Sequence, residues 1–188
     1  MCIRDRTNTV TGPDFNSAWT ITADDAGTIN PGVGTTVLTR IQSFTGGTGN
    51  DSFTFNGVFQ LTGTTGVDGG GGSNTLTAPN VNNSWTVTGN NEGTLENTTY
   101  PSPNLFSFTN FPNIIGESNT DDFIFDGAFQ LTGTTGLDGG SGSNTLTAPN
   151  VNNSWTVTGN NTGTITSIGA PGATNLSLIH ISEPTRPY

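Results

Sequence analysis

The chain has 188 residues with four cations against fourteen carboxylates, a net charge of −10. Phosphate backbones and anionic bilayer surfaces would repel it, so nucleic acid and membrane surfaces are excluded as partners. One cysteine excludes a disulfide scaffold or a thiolate metal centre, and no apolar run approaches the roughly 20 residues of a membrane helix.

Helix formers are sparse, while Thr, Val, Ile, Phe and Trp recur in short runs among 27 glycines. Such composition suits pleated surfaces joined by turns, which predicts an all-β chain.

The two ends are read separately. Met1-Cys2-Ile3-Arg4-Asp5 and Leu176-Ser177-Leu178-Ile179-His180-Ile181 can be encoded by reverse-complementary DNA. The pair resembles the end of a transposase-based sequencing-library adapter, with Ser182-Glu183-Pro184-Thr185-Arg186 as its continuation. Residues 1–6 and 176–188 are therefore expected to be adapter-derived, and 7–175 to be the protein itself. On that expectation Arg40 is the single native cation.

From the N-terminal side, Gly12-Pro13-Asp14 signals a turn before Trp19-Thr20-Ile21-Thr22 and Ala26-Gly27-Thr28-Ile29. This pattern returns at Trp85 and again at Trp155. The stretch Phe59 to Asn91 recurs as Phe129 to Asn161 with only Val67/Leu137 and Gly71/Ser141 different, a period of 70 residues. Residues 16–50 form a partial copy, and further copies begin at 51 and 121. Tyr100-Pro101-Ser102-Pro103 reads as a surface loop where insertion is tolerated.

A finer spacing separates Phe53 from Leu76 by 23 residues. It predicts coils at 51–73, 74–97, 98–121, 122–143 and 144–167. The expected fold is a parallel β-solenoid (β-helix) of about seven coils of 23–24 residues, grouped in 70-residue repeats. A long fixed period outranks local motifs, because no single coil buries its aromatic row alone. Disorder, the competing reading of a Gly/Asn/Thr-rich acidic chain, conflicts with the alternation in Phe53-Thr54-Phe55, Trp85-Thr86-Val87 and Phe106-Ser107-Phe108.

One motif carries chemistry. Gly46-Gly47-Thr48-Gly49-Asn50-Asp51-Ser52-Phe53-Thr54 fits the calcium nonapeptide G-G-x-G-x-D-x-U-x at every fixed position. Degenerate versions end on Asn74, Asp121 and Asn144. Calcium takes six to eight oxygens, so ligands would have to come from turns stacked above and below. The candidate ligands are Asp51, Asn74, Asp121 and Asn144, with Asp68 and Asp138 as extra carboxylates. The other reading of the same residues is a set of Gly-rich turns whose Asp and Asn side chains bond to their own backbone. No cofactor is required, and calcium is the one candidate.

The order N-S-W-T-V-T-G-N-N-x-G-T-L, F-S-F, G-G-x-G-x-D-x-F-x-F and L-D-G-G-x-G-x-N-T-L resembles the strand repeats of large bacterial surface adhesins of the filamentous-haemagglutinin-like type, with degenerate RTX-like calcium nonapeptides. The resemblance covers essentially all of 16–167. It implies a non-catalytic stalk module of a secreted or cell-surface, outer-membrane-associated protein active in attachment or biofilm. Its partners would be neighbouring repeats of the same chain, with a surface or glycan receptor engaged by regions outside it. The alternative of the same origin is a calcium-binding β-roll module of a secreted protein.

Three other readings compete. A polysaccharide-active β-helix enzyme could draw on Asp121, Asp122 and Asp126, although Asp126 has Asn56 and Asp122 has Ser52 as counterparts. An ice-binding face needs Thr-x-Thr on every coil, which Phe106-Ser107-Phe108 interrupts. Trp19, Trp85 and Trp155 could stack on carbohydrate, but they open strands at one equivalent position, which suits a packed stack or a coil edge.

Overall fold

The computed structural model describes residues 7–97 and 104–179. Over these residues the chain forms eighteen strands and no helix. The loop expected at Tyr100-Pro101-Ser102-Pro103, residues 1–6, and 180–188 lie outside the described residues.

The strands fall into copies of one seven-element unit. The first contains β1 (Thr9–Thr11), β2 (Ala18–Ala23), β3 (Ala26–Asn30), β4 (Thr36–Thr39), β5 (Ser43–Thr45), β6 (Ser52–Phe55) and β7 (Val67–Asp68). The second contains β8 (Thr75–Thr77), β9 (Asn83–Gly89), β10 (Glu92–Asn97), β11 (Asn104–Thr109), β12 (Asn113–Ile115), β13 (Asp121–Phe125) and β14 (Leu137–Asp138). The third begins with β15 (Thr145–Thr147), β16 (Asn153–Gly159), β17 (Thr162–Ser167) and β18 (Thr174–Ser177). Leu176 and Ser177, expected to be adapter-derived, thus lie in β18, in register with Leu137 and Asp138.

Two sheets result. Sheet I has eight strands in the order β1-β5-β7-β11-β10-β9-β13-β15, and sheet II has ten in the order β16-β17-β18-β14-β12-β8-β6-β2-β3-β4. Equivalent strands of successive copies change sheet: β2, β9 and β16 lie in II, I and II, and β6 and β13 in II and I.

The expected parallel solenoid of about seven coils is not what the chain forms. Both sheets mix parallel and antiparallel pairing. Each tryptophan strand opens a three-stranded antiparallel meander, in which Trp19 faces Ile29, Trp85 faces Leu95 and Trp155 faces Ile165. The third strand then returns, with Gly27 opposite Leu38, Gly93 opposite Phe108 and Gly163 opposite Leu176. The cause is a two-residue turn. Asp24-Asp25, Asn90-Asn91 and Asn160-Asn161 each reverse the chain, and the second residue of each pair has φ of 50°, 60° and 55°. Asn and Asp tolerate that left-handed geometry, so a hairpin forms where a coil corner was expected.

The 23-residue step survives in part of the ladder. Phe44 pairs with Val67, Phe53 with Leu76, Ile114 with Leu137 and Phe123 with Leu146, all parallel. Between these steps the meander lengthens the path, so Trp19 pairs with Phe53 and Trp85 with Phe123.

The alternating apolar residues meet in one core. Trp19 stacks on Phe53 at 5.1 Å between ring centres and meets Phe44 edge-on at 6.0 Å. Trp85 repeats the arrangement with Phe123 at 5.9 Å and Phe108 at 5.7 Å. Phe55 and Phe106 stack at 4.5 Å, joining strands of the two sheets. Such pairs add about 0.5–1.5 kcal/mol beyond burial of their area. The Gly-rich turns at the strand ends are held in place by this core.

Candidate functional site

The nonapeptide-like turns form two short ladders, one on each sheet. In the first, Asp51 precedes β6 and Asn74 precedes β8 in sheet II. The Asp51 N–H donates to Asn74 Oδ1 at 2.8 Å, and Asp51 Oδ1 accepts the Ser17 N–H at 2.8 Å. The Asn74 amide donates to the Gly71 carbonyl at 3.0 Å and the Asn110 carbonyl at 3.1 Å. In the second, Asp121 begins β13 and Asn144 precedes β15 in sheet I. The Asp121 N–H donates to Asn144 Oδ1 at 3.0 Å, and its Oδ1 accepts the Asn83 N–H at 3.0 Å and the Asn83 amide at 2.7 Å. The Asn144 amide donates to the carbonyls of Gly139, Gly140 and Leu178.

The four predicted positions are therefore joined in two pairs, Asp51 with Asn74 and Asp121 with Asn144. Asp68 and Asp138 do not join them. Each accepts the backbone N–H two residues on, from Gly70 at 2.8 Å and Gly140 at 3.0 Å, and Asp68 also accepts the Asn110 amide at 2.8 Å. These are local Asx turns.

The glycine that opens each motif has a steric role. A Cβ at Gly46 would fall 2.5 Å from Asp51 Oδ2, and one at Gly116 would fall 2.5 Å from Asp121 Oδ2. At Gly69 and Gly139 it would fall 2.5 Å from Asn74 Nδ2 and 2.7 Å from Asn144 Nδ2. Five residues before each Asp or Asn, the backbone must leave room for that side chain. The G-x-x-x-x-[DN] spacing follows from packing.

Burial acts strongly on the two carboxyls. Asp51 and Asp121 are 2% and 0% exposed, and Oδ2 of each is buried without a hydrogen bond. Desolvation raises the Asp121 pKa to about 6, against the lowering effect of its bonds from Asn83. Asp51 is raised by the same cause, opposed by Ser17 and by the nearby Trp19 indole, whose own N–H makes no hydrogen bond of good geometry.

Calcium can be tested against this donor set. Ser17 and Asn83 present N–H groups to the carboxylates, and the carbonyls around Asn74 and Asn144 already accept amide hydrogens. One unpartnered carboxylate oxygen remains at each ladder. That falls well short of the six to eight oxygens of a calcium site. Among the described residues no three His, Cys, Asp or Glu side chains gather to hold a metal ion.

The other chemical readings meet the same geometry. Asp121 is buried, whereas its neighbour Asp122 and Asp126 are exposed, so the three carboxylates do not converge. Threonine hydroxyls align across Thr20, Thr54 and Thr77, but the row meets Ile115 on the next strand. Across sheet I, Thr94 and Thr86 are followed by Ile124. Trp19 and Trp85 are closed inside the core, out of reach of a sugar ring.

Sequence reasoning missed Ser17 and Asn83, the donors that hold the aspartates. Their signal was present: each lies two residues before a strand tryptophan, as Asp51 and Asp121 lie two before a phenylalanine. Comparison with family models, curated proteins and solved structures finds no match.

Proposed function

We propose that the chain is a non-catalytic structural repeat module of a large secreted or cell-surface adhesin, contributing length and stiffness while attachment is made elsewhere in the full protein. The observation that supports this is the use made of its polar side chains. Asp51, Asn74, Asp121 and Asn144, the residues best suited to chemistry, are spent on bonds between successive strands in two copies of one arrangement. A site would be singular, whereas these groups repeat with the fold. The resemblance of the motif order to adhesin repeats supplies the cellular setting.

The test is immunolabelling of intact bacteria that carry the coding sequence, with antibody raised against the folded chain. Labelling of unbroken cells supports the reading. Labelling only after lysis overturns it.

A further inference from the structure

The same sequence, Asn-Ser-Trp-Thr-Val-Thr-Gly, occurs in β9 and β16 in different surroundings. Around β9, the Asn83 N–H and amide donate to the Asp121 carboxylate, Trp85 stacks on Phe123, and Val87 pairs with Phe125. Around β2, Ser17 donates to Asp51, Trp19 stacks on Phe53, and Ile21 pairs with Phe55. An Asp-x-Phe-x-Phe strand is read twice by the same three positions. Among the described residues nothing pairs with β16 on that side, for it ends sheet II. Val157 is 63% exposed where Val87 is 0%, and Trp155 is only partly buried. The Asn153 amide keeps its bonds to the Pro149 and Val151 carbonyls but meets no carboxylate.

We infer that the free edge of β16 is a docking site for one Asp-x-Phe-x-Phe strand, supplied by a further copy of the 70-residue repeat. The aspartate accepts from Asn153, the first phenylalanine covers Trp155, and the second covers Val157. The adjoining edge fits the same occupant. Leu146 in β15, which ends sheet I, is half-buried, whereas Leu76 is fully covered beside Ile114. One further copy brings both an Asn-Ile-Ile strand for β15 and the Asp-x-Phe-x-Phe strand for β16. A second molecule of this chain cannot serve. Its β6 is already flanked by β2 and β8, and its β13 by β9 and β15. The inference rests on reading the chain as a repeat module, but it does not depend on where the protein is displayed.

The experiment uses hydrogen exchange of residues 153–157 in the full chain, with and without a peptide of the sequence of residues 112–126. Slowing by tenfold or more, lost when the aspartate corresponding to Asp121 is alanine in the peptide, is the expected result. In parallel, residues 168–188 are replaced by the sequence of 98–167, which continues the repeat in register through the rest of the third copy and into a fourth. There the 153–157 amides should exchange as slowly as 83–87. A folded extension that leaves 153–157 exchanging at the parent rate overturns the proposal. Should the extended chain fail to fold, absence of peptide protection at millimolar concentration overturns it instead. Protection of 153–157 by self-association of the unmodified chain also overturns it, because the occupant would then be a second molecule. A negative result here leaves the surface labelling of whole cells unaffected, so the two readings fail separately.

Discussion

The backbone N–H of Asp121 donates to Asn144 Oδ1 at 3.0 Å, so an amide stands beside a buried carboxylate on the neighbouring strand. Two aspartates in this position would place like charges side by side in a desolvated setting. Alternation of Asp and Asn avoids that repulsion and keeps the acceptor.

Stability should fall as pH rises through the folded pKa of Asp121. That value is about 6 against 3.8 for the ordinary carboxyl. The folded state therefore holds more protons than the unfolded one between these values. The stabilising contribution is complete below about 4 and lost above about 6. Asp51 acts in the same direction. The change attributable to Asp121 is on the order of 2 kcal/mol, or several degrees in Tm. Thermal melts at pH 4.5 and 7.5 check this; Asp121→Asn should flatten the difference, and equal midpoints in the parent would refute it.

Ser43→Asn should stabilise the chain. Ser43 is 1% exposed and its hydroxyl has no partner, whereas Asn113, 70 residues on, accepts the N–H of Thr135 at 3.0 Å and that of Gly136 at 3.3 Å. Importing those bonds is worth about 1 kcal/mol, and Asn113→Ser should lose a similar amount. Urea denaturation of both variants measures it.

Gly46→Ala should destabilise by about 1–3 kcal/mol, since the new methyl meets Asp51 Oδ2 at 2.5 Å and the Gly69 carbonyl at 2.4 Å. Gly116→Ala should do the same through Asp121. A melt unchanged by either substitution would show that the turns have room to spare.

Calcium should leave the unfolding midpoint within about 1 °C of its value in EDTA, because a ligand stabilises only by binding the folded state. A clear rise in millimolar calcium would mean that the Asn74 and Asn144 amides give way to the ion.

Trp85→Ala should cost about 3–5 kcal/mol, as large aromatic truncations in a core do. Trp155→Ala should cost less than half of that, since Trp155 is only partly buried. Equal losses would show that β16 is covered in solution.

The all-β character and part of the ladder were legible, while the parallel solenoid was not what the chain forms. The 70-residue period, the pairing of Phe53 with Leu76 and the inward Phe and Trp could be read directly, because alternation and repetition survive any detail of path. The meanders were not read, although Thr-Gly-Asn90-Asn91-Glu-Gly-Thr is a hairpin signal: two strand-like runs around a two-residue Asn turn. Thr9–Thr11 forms β1, the counterpart of Thr75–Thr77. For the site, the four positions that share the motif are joined in two pairs, Asp51 with Asn74 and Asp121 with Asn144. A calcium turn and an Asp–Asn ladder share one pattern and differ only in which groups face the carboxylate, and the offset of Ser17 and Asn83 from their tryptophans is the one sequence sign of the ladder.

Equivalent strands of successive copies lie in opposite sheets. A feature carried on one sheet by one copy is therefore carried on the other sheet by the next. An insertion between β10 and β11, if present in every repeat, would decorate a longer array on both sheets, with each sheet carrying every second copy. Such an array would carry the same insertion in two directions at once, without a second kind of repeat.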